Sequence, residues 1–133
     1  MTDIQQLTDL QVAVMRVLWE KQEATVAEIC EALRAERGLA QTTIATLLSR
    51  LEKRGVVTHS SRARQFVYRA LVTESEVRRV MVRDLTERLF DGDIAALMSH
   101  LLTARDITPG DLERVRSLVE AETLREEAGH AED

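Results

Sequence analysis

The chain has 133 residues, of which 44% are hydrophobic, 31% are charged and 3% are aromatic. This length suits one domain, or a compact domain with an appendage, and leaves little room for a separate catalytic domain. No apolar run approaches the roughly 18 residues of a membrane span. Residues 1–5 lack the basic segment that opens a signal peptide. We therefore expect a cytoplasmic protein that is not inserted in a membrane.

Charge is distributed unevenly along the chain, although the total is -5. Residues 1–39 carry a net charge of -3, residues 40–70 carry +5 and residues 71–133 carry -7. A basic segment in an acidic protein can face phosphates while the remaining surface keeps the protein soluble and repels non-specific contacts. Residues 40–70 are therefore the candidate site for a polyanion.

Two capping boxes predict the first two helices. Thr8 with Gln11 opens a helix over residues 8–20, and Thr25 with Glu28 opens a second helix. Apolar residues recur at helical spacing after each box. Gly38 is a typical helix stop, so a turn is expected there.

A third helix and a β-hairpin follow. The helix is predicted from about Gln41 to Gly55, with apolar residues at 44, 47, 48 and 51 along one side. Residues 56–59 and 65–69 are rich in β-branched and aromatic side chains, which predicts a hairpin with a basic tip between them. Three short helices followed by a hairpin are the layout of a winged helix-turn-helix. The fold class is therefore mainly α with a small β-hairpin, and the winged domain occupies residues 1–71.

The second half of the chain reads as helical. A capping box at Thr73 and Glu76 opens a long helix that reaches Phe90, and residues 91–93 interrupt it. A shorter helix follows, and Pro109 takes the first position of a last one.

Three helices in a segment of this length can hardly enclose their own apolar faces, so they are expected to bury these faces against the same segment of a second chain. Residues 72–133 are therefore predicted to be a helical dimerisation domain with an acidic tail. The residues expected in the homodimer interface are Val77, Val80, Met81, Leu85, Leu97, Leu101, Leu112 and Val115.

The polar side of the third helix is the candidate DNA-reading surface. Threonine and serine can bond base edges or phosphates, the threonine methyl can contact thymine, and arginine can reach guanine or phosphate. Arginines at the hairpin tip can hold phosphate or enter the minor groove. The alternatives are an ordinary solvated helix face and an ordinary turn. The candidate contacts are Thr42, Thr43, Thr46, Ser49, Arg50, Lys53, Arg62 and Arg64.

A known family pattern matches the chain at several stretches: Leu7-Thr8, Val14-Met15, Leu18-Trp19, Ala24-Thr25-Val26, residues 40–51, Lys53-Arg54-Gly55, Tyr68, Leu89-Phe90-Asp91-Gly92, Ala96-Leu97 and Leu118. In these stretches the chain resembles the penicillinase repressor family (BlaI/MecI/CopY). The resemblance covers nearly the whole chain.

The resemblance implies a dimeric repressor of antibiotic-resistance (β-lactamase-type) or related genes, with its winged domains on a palindromic DNA operator. It also identifies Thr42, Thr43, Thr46 and Arg50 as groove and phosphate contacts. In the antibiotic-responsive members, a membrane-bound metalloprotease that senses β-lactam triggers cleavage within the dimerisation segment. Two half-site contacts reinforce each other only while they are joined, so cleavage releases the DNA.

This chain departs from the family pattern at two places. The bond cleaved in the family is typically Asn-Phe, and the nearest aligned pair here is His100-Leu101. The four-cysteine cluster of the copper-responsive branch is absent, because Cys30 is the only cysteine. Release by copper through that cluster is excluded, and the inducing signal stays open.

Other classes of function fit less well. The sequence has no H-E-x-x-H motif, Walker loop or dinucleotide fingerprint, so neither an enzyme nor a bound metal or cofactor is expected. A winged helix used only for protein contacts would lack the basic rim. A winged-helix regulator relieved by a small ligand or a redox signal remains open, and Cys30, otherwise a core residue at helical spacing, could be tested by oxidation.

Overall fold

The computed structural model describes residues 7–104 and 106–131, with the side chains of residues 130 and 131 left out. The start of the chain, considered above for a signal peptide, lies outside these ranges. Within the ranges, none of the helices combines the length and the apolar character needed to cross a membrane. The elements are α1 (Asp9–Lys21), β1 (Ala24–Thr25), α2 (Val26–Arg37), α3 (Gln41–Lys53), β2 (Val57–Arg62), β3 (Gln65–Ala70), α4 (Glu74–Phe90), α5 (Ile94–Thr103) and α6 (Pro109–Ala131).

The capping boxes form as the sequence predicted. The Thr8 hydroxyl accepts the N–H of Gln11 at 3.2 Å, and the Gln11 side chain accepts the N–H of Thr8 at 2.9 Å. Thr25 and Glu28 make the same reciprocal pair at the start of α2. Gly38 ends α2 in the left-handed conformation with φ of 52°. Local sequence therefore sets the starts of α1 and α2 and the end of α2.

The three strands form a small antiparallel sheet of order β1-β3-β2. The hairpin of β2 and β3 was predicted, and β1 was not, since two residues are too short to show an alternating pattern. Ala24 of β1 pairs with Tyr68 of β3. The strands run further than expected, so the turn is only Ala63 and Arg64, and Arg62 lies in β2 rather than at the tip.

The core of the winged helix is aliphatic. It is formed by α1, α2, α3 and the sheet, and its fully buried large side chains are Val14, Met15, Leu18, Ile29, Ile44, Leu48, Leu51, Val56 and Val57. Trp19 lies at its edge, where the ring N–H donates to the carbonyl of Val72 at 2.9 Å. This order of three helices and a hairpin with an added strand is the winged helix-turn-helix that the sequence predicted.

The beginning of α4 belongs to this core, which corrects part of the expected dimer interface. Val77 is 3% exposed within the core cluster of the same chain, and Met81 packs against it. Val77 is therefore used inside one protomer, whereas Met81 is only partly buried there. Their helical spacing showed that they would be buried but not by what.

The chain divides into two compact units, Met1–Leu85 and Thr86–Asp133. The first unit ends later than the expected boundary after residue 71, because the first half of α4 packs on the winged core. In the second unit, α5 starts from an Asp93 cap and contains no buried residue. The large exposed apolar side chains of this unit come from the end of α4 and from α5 and α6: Leu89, Ile94, Met98, Leu102, Leu112, Val115, Leu118, Val119 and Leu124.

Candidate nucleic-acid interface

Helix α3 presents one apolar side to the core and one polar side to solvent. Ile44, Leu48 and Leu51 are fully buried, and Leu47 is 8% exposed. Because a helix repeats about every 3.6 residues, these apolar positions share one side and the polar residues between them lie on the opposite side. All six α3 residues predicted to contact DNA are exposed there: Thr42, Thr43, Thr46, Ser49, Arg50 and Lys53.

The N-terminus of α3 differs chemically from those of α1 and α2. Its N-cap residue is Ala40, which makes no side-chain cap hydrogen bond, and the first turn carries no acidic residue. Helices α1 and α2 begin instead with a threonine capping box. The first N–H groups of a helix carry a partial positive charge and bind anions. The N-terminal end of α3 is thus open to an approaching phosphate.

Thr46 already uses its hydroxyl hydrogen within the helix. Its Oγ1 donates to the carbonyl of Thr42 at 3.0 Å. A hydroxyl has a single hydrogen to donate. Thr46 therefore faces a ligand with its methyl group and with the lone pairs of its oxygen, and not as a donor.

Concave surfaces lie on both flanks of the α3 reading face. The first, of about 440 Å³, separates α3 from the start of α1 and is lined by Thr8, Leu10, Gln11, Thr42, Thr43, Thr46, Leu47 and Arg50. The second, of about 340 Å³, separates the starts of α2 and α3 from the hairpin and is lined by Thr25, Val26, Ala27, Gln41, Arg64, Gln65 and Phe66. Predicted contacts from α3 line the first concavity, and Arg64 from the hairpin lines the second.

Arg62 and Arg64 have different surroundings, although the sequence placed both at the hairpin tip. Arg62 makes a two-point ion pair with Glu23, with N–O distances of 2.6 and 2.7 Å. The hydrogen bond from Arg62 lowers the pKa of the Glu23 carboxyl, and the same pair raises the pKa of Arg62. Arg64 occupies the turn itself, with φ of 65°.

Sequence reasoning missed a cluster that links the hairpin to α3. His59 Nδ1 lies 2.7 Å from Glu52 Oε2 and 2.9 Å from Oε1, so the ring N–H donates to the carboxylate. The His59 ring stacks on Phe66, with centroids 4.2 Å apart. Burial and the nearby Glu52 charge also raise the pKa of Tyr68. The sequence feature that could have indicated this cluster is Phe66, an aromatic residue two positions after the basic Arg64.

Across residues 7–104 and 106–131, no group of three or more His, Cys, Asp or Glu side chains could hold a metal. Cys30 is half-buried, and its thiol donates to the carbonyl of Leu39 at 3.0 Å. The cysteine therefore packs at the junction between α2 and α3.

Comparisons with known proteins agree on one family. The family model described as penicillinase repressor matches residues 7–121. The transcriptional regulator BlaI of Mycobacterium tuberculosis is 35% identical over 132 residues, which cover 98% of this chain and 91% of the relative. The penicillinase repressor of Bacillus licheniformis is 25% identical over 120 residues, which cover 90% of this chain and 94% of the relative.

A solved structure supports the fold of the first half. The solution structure of the DNA-binding domain of the repressor BlaI is 33% identical to this chain and superposes with a TM-score of 0.51. The match covers 57% of this chain and 93% of that domain. The shared part has the size expected for the winged helix alone.

Proposed function

The chain belongs to the penicillinase repressor family, a family of DNA-binding transcriptional repressors and not of enzymes, and we propose that it acts in the cytoplasm as a homodimer on a palindromic operator. The observation that carries this proposal is the exposed polar side of α3. This helix lies in the segment 40–70, which has a net charge of +5, and its N-terminus has no side-chain cap. A helix with small polar side chains can enter the major groove closely.

The roles of the individual residues follow from their positions. Thr42, Thr43, Thr46 and Ser49 contact base edges in the groove. Arg50, which lines the concavity beside α1, and Lys53 both lie in the last turn of α3 and hold phosphates. Phosphate contacts fix the register of a protein on DNA, and base contacts give the specificity.

The two hairpin arginines, Arg62 and Arg64, have different proposed roles. Arg64, at the turn, holds phosphate or enters the minor groove. Arg62 is held by Glu23, so it supports the wing and contributes less charge to DNA than an unpaired arginine would.

The homodimer is proposed to form through the exposed apolar side chains of the second unit. Ile94, Met98 and Leu102 recur at four-residue intervals along α5 and are 66%, 44% and 51% exposed. Burial of such surface contributes about 25 cal/mol per Å², and a two-fold interface presents the same patch twice. We retain Leu97, Leu101, Leu112 and Val115 in this interface, together with Val80, Met81 and Leu85 at the end of the first unit, and we remove Val77 because it is buried in its own protomer.

Release from DNA is proposed to follow cleavage in the dimerisation segment, triggered by a membrane sensor protease. The aligned bond, His100–Leu101, lies inside α5. Proteolysis needs locally opened backbone, which short and poorly packed helices provide. Within one protomer, helix α5 contains no buried residue, so only the proposed contacts with the second chain oppose its local opening. The target genes are proposed to be antibiotic-resistance genes of the β-lactamase type or related ones.

The test is binding to a labelled palindromic fragment from the region upstream of the protein's own gene. Fluorescence anisotropy is measured against a scrambled fragment at two salt concentrations. Salt-sensitive preference for the palindrome, at two chains per fragment, supports the repressor. Equal binding to both fragments at both salts favours a protein-contact module and refutes the operator proposal.

A further inference from the structure

Phe66 is an exposed aromatic side chain in the basic part of the molecule. It lies in β3, two residues after the hairpin turn, and is 51% exposed. Among the described residues 7–70, it is the one large hydrophobic side chain with this degree of exposure. Half of its apolar surface therefore faces water next to Arg64.

The Phe66 ring is held in place from the side of α3. His59 stacks on it at 4.2 Å with an angle of 28° between the rings. His59 in turn donates its ring N–H to the Glu52 carboxylate at 2.7 Å. Glu52 belongs to α3, so Phe66 keeps a defined position relative to the reading helix and not only to the hairpin.

The surroundings of Phe66 include both apolar and polar groups. The concavity beside it combines Val26 and Ala27 with Gln41 and Arg64. The sugar–phosphate backbone of DNA offers partners for both, because each deoxyribose is apolar on its faces and each phosphate is anionic. A protein partner would ordinarily require a larger contiguous apolar patch than one ring.

We propose that Phe66 packs against deoxyribose rings of the DNA strand that passes between the wing and α3, and that Glu52 and His59 are its positioning residues. This proposal rests on the DNA-binding function proposed above and adds an apolar contact to the polar and charged ones. It also gives a role to Glu52, which is the single acidic residue in the basic segment 40–70.

The decisive experiment compares the full-length protein with Phe66→Ala and Phe66→Leu on the palindromic fragment. Binding is measured over a range of salt concentrations. We expect Phe66→Ala to weaken binding about tenfold with an unchanged salt slope, because no ion pair is lost, and Phe66→Leu to lie between Phe66→Ala and wild type. Arg64→Ala is the matched control, and its slope should fall by about 0.9.

Hydroxyl-radical footprinting identifies the group that Phe66 covers, since the radical abstracts hydrogen from deoxyribose. Wild type should protect a few sugars beside the half-site, and Phe66→Ala should expose them while the sugars covered by the rest of the protein stay protected. Unchanged affinity and unchanged sugar protection in a folded Phe66→Ala variant would refute the contact. Wild-type protein that binds no DNA would instead refute the proposed function itself.

The positioning role is tested at Glu52. Loss of a carboxylate near DNA should by itself tighten binding. We expect Glu52→Ala to weaken binding instead, Glu52→Gln to restore it through its remaining acceptor oxygen, and Glu52→Ala to have no further weakening effect in the Phe66→Ala background. Tighter binding by Glu52→Ala in both backgrounds would remove Glu52 and His59 from the proposal.

Discussion

Arg62 of β2 and Glu23 of the α1–β1 connection form a two-point ion pair, with both N–O distances below 2.8 Å. The pair neutralises one of the two arginines that the sequence assigned to the hairpin tip. Both side chains are exposed, so the pair itself adds little to stability. Its main consequence is for the charge that the wing presents to DNA.

We predict that Glu23→Gln strengthens binding to random DNA. The substitution removes one negative charge and frees the Arg62 guanidinium for a phosphate, so the salt slope should steepen by up to about 0.9. Anisotropy titrations at several salt concentrations measure this. Glu113→Gln in α6 changes the net charge equally and serves as the control. A weaker Glu23→Gln complex would mean that the ion pair orients the wing and does not mask it.

Thr46→Val should retain operator specificity, whereas Thr46→Ser should lose it. Because the Thr46 hydroxyl hydrogen is donated to Thr42, we assign base reading to the methyl group, and valine keeps a methyl there. The loss for Thr46→Ser should be about fivefold to tenfold on the operator, with little change on random DNA. Loss of specificity in Thr46→Val with retention in Thr46→Ser would show that the oxygen makes the contact.

Arg50→Ala provides the comparison for this pair of Thr46 variants. It should weaken operator and random DNA alike and reduce the salt slope by about 0.9, as expected for a phosphate contact. If neither Thr46 nor Arg50 variants change binding, the assigned face of α3 is wrong.

The hairpin turn predicts a stabilising substitution. Ala63 has φ of 49°, a left-handed conformation that is unfavourable for a residue with a Cβ atom. Ala63→Gly should raise the free energy of unfolding by about 1 kcal/mol. Chemical denaturation measures the change. Ala35→Gly, in the right-handed helix α2, is the same chemical substitution and should lower stability by about 1 kcal/mol.

The proposed dimer is tested on α5. Replacing both Met98 and Leu102 by serine should produce monomers with weak operator affinity and nearly unchanged half-site affinity, because the avidity of joined half-sites is lost. Sedimentation velocity and titration of the two fragments measure this. Leu71→Ser, at a similarly exposed position of the first unit, should remain dimeric. A dimeric double variant would place the interface elsewhere.

The sequence determined the features that depend on neighbours along the chain. The pairs Thr8–Gln11 and Thr25–Glu28 each join residues three apart, so their hydrogen bonds and the helix starts could be predicted from the pattern alone. The buried and exposed sides of α3 followed from its period, and the helices and the main hairpin were predicted correctly. The family resemblance was confirmed by the match over residues 7–121.

The tertiary structure decided the features that join distant residues. Arg62 pairs with Glu23 across 39 positions, and Trp19 bonds Val72 across 53. Val77 has the spacing of a buried residue, yet only packing shows that it is buried in its own protomer. Hydrophobic periodicity specifies which face of an element is buried but not its partner, because that partner depends on how the elements pack. The strand β1 and the Phe66–His59–Glu52 cluster became visible for the same reason.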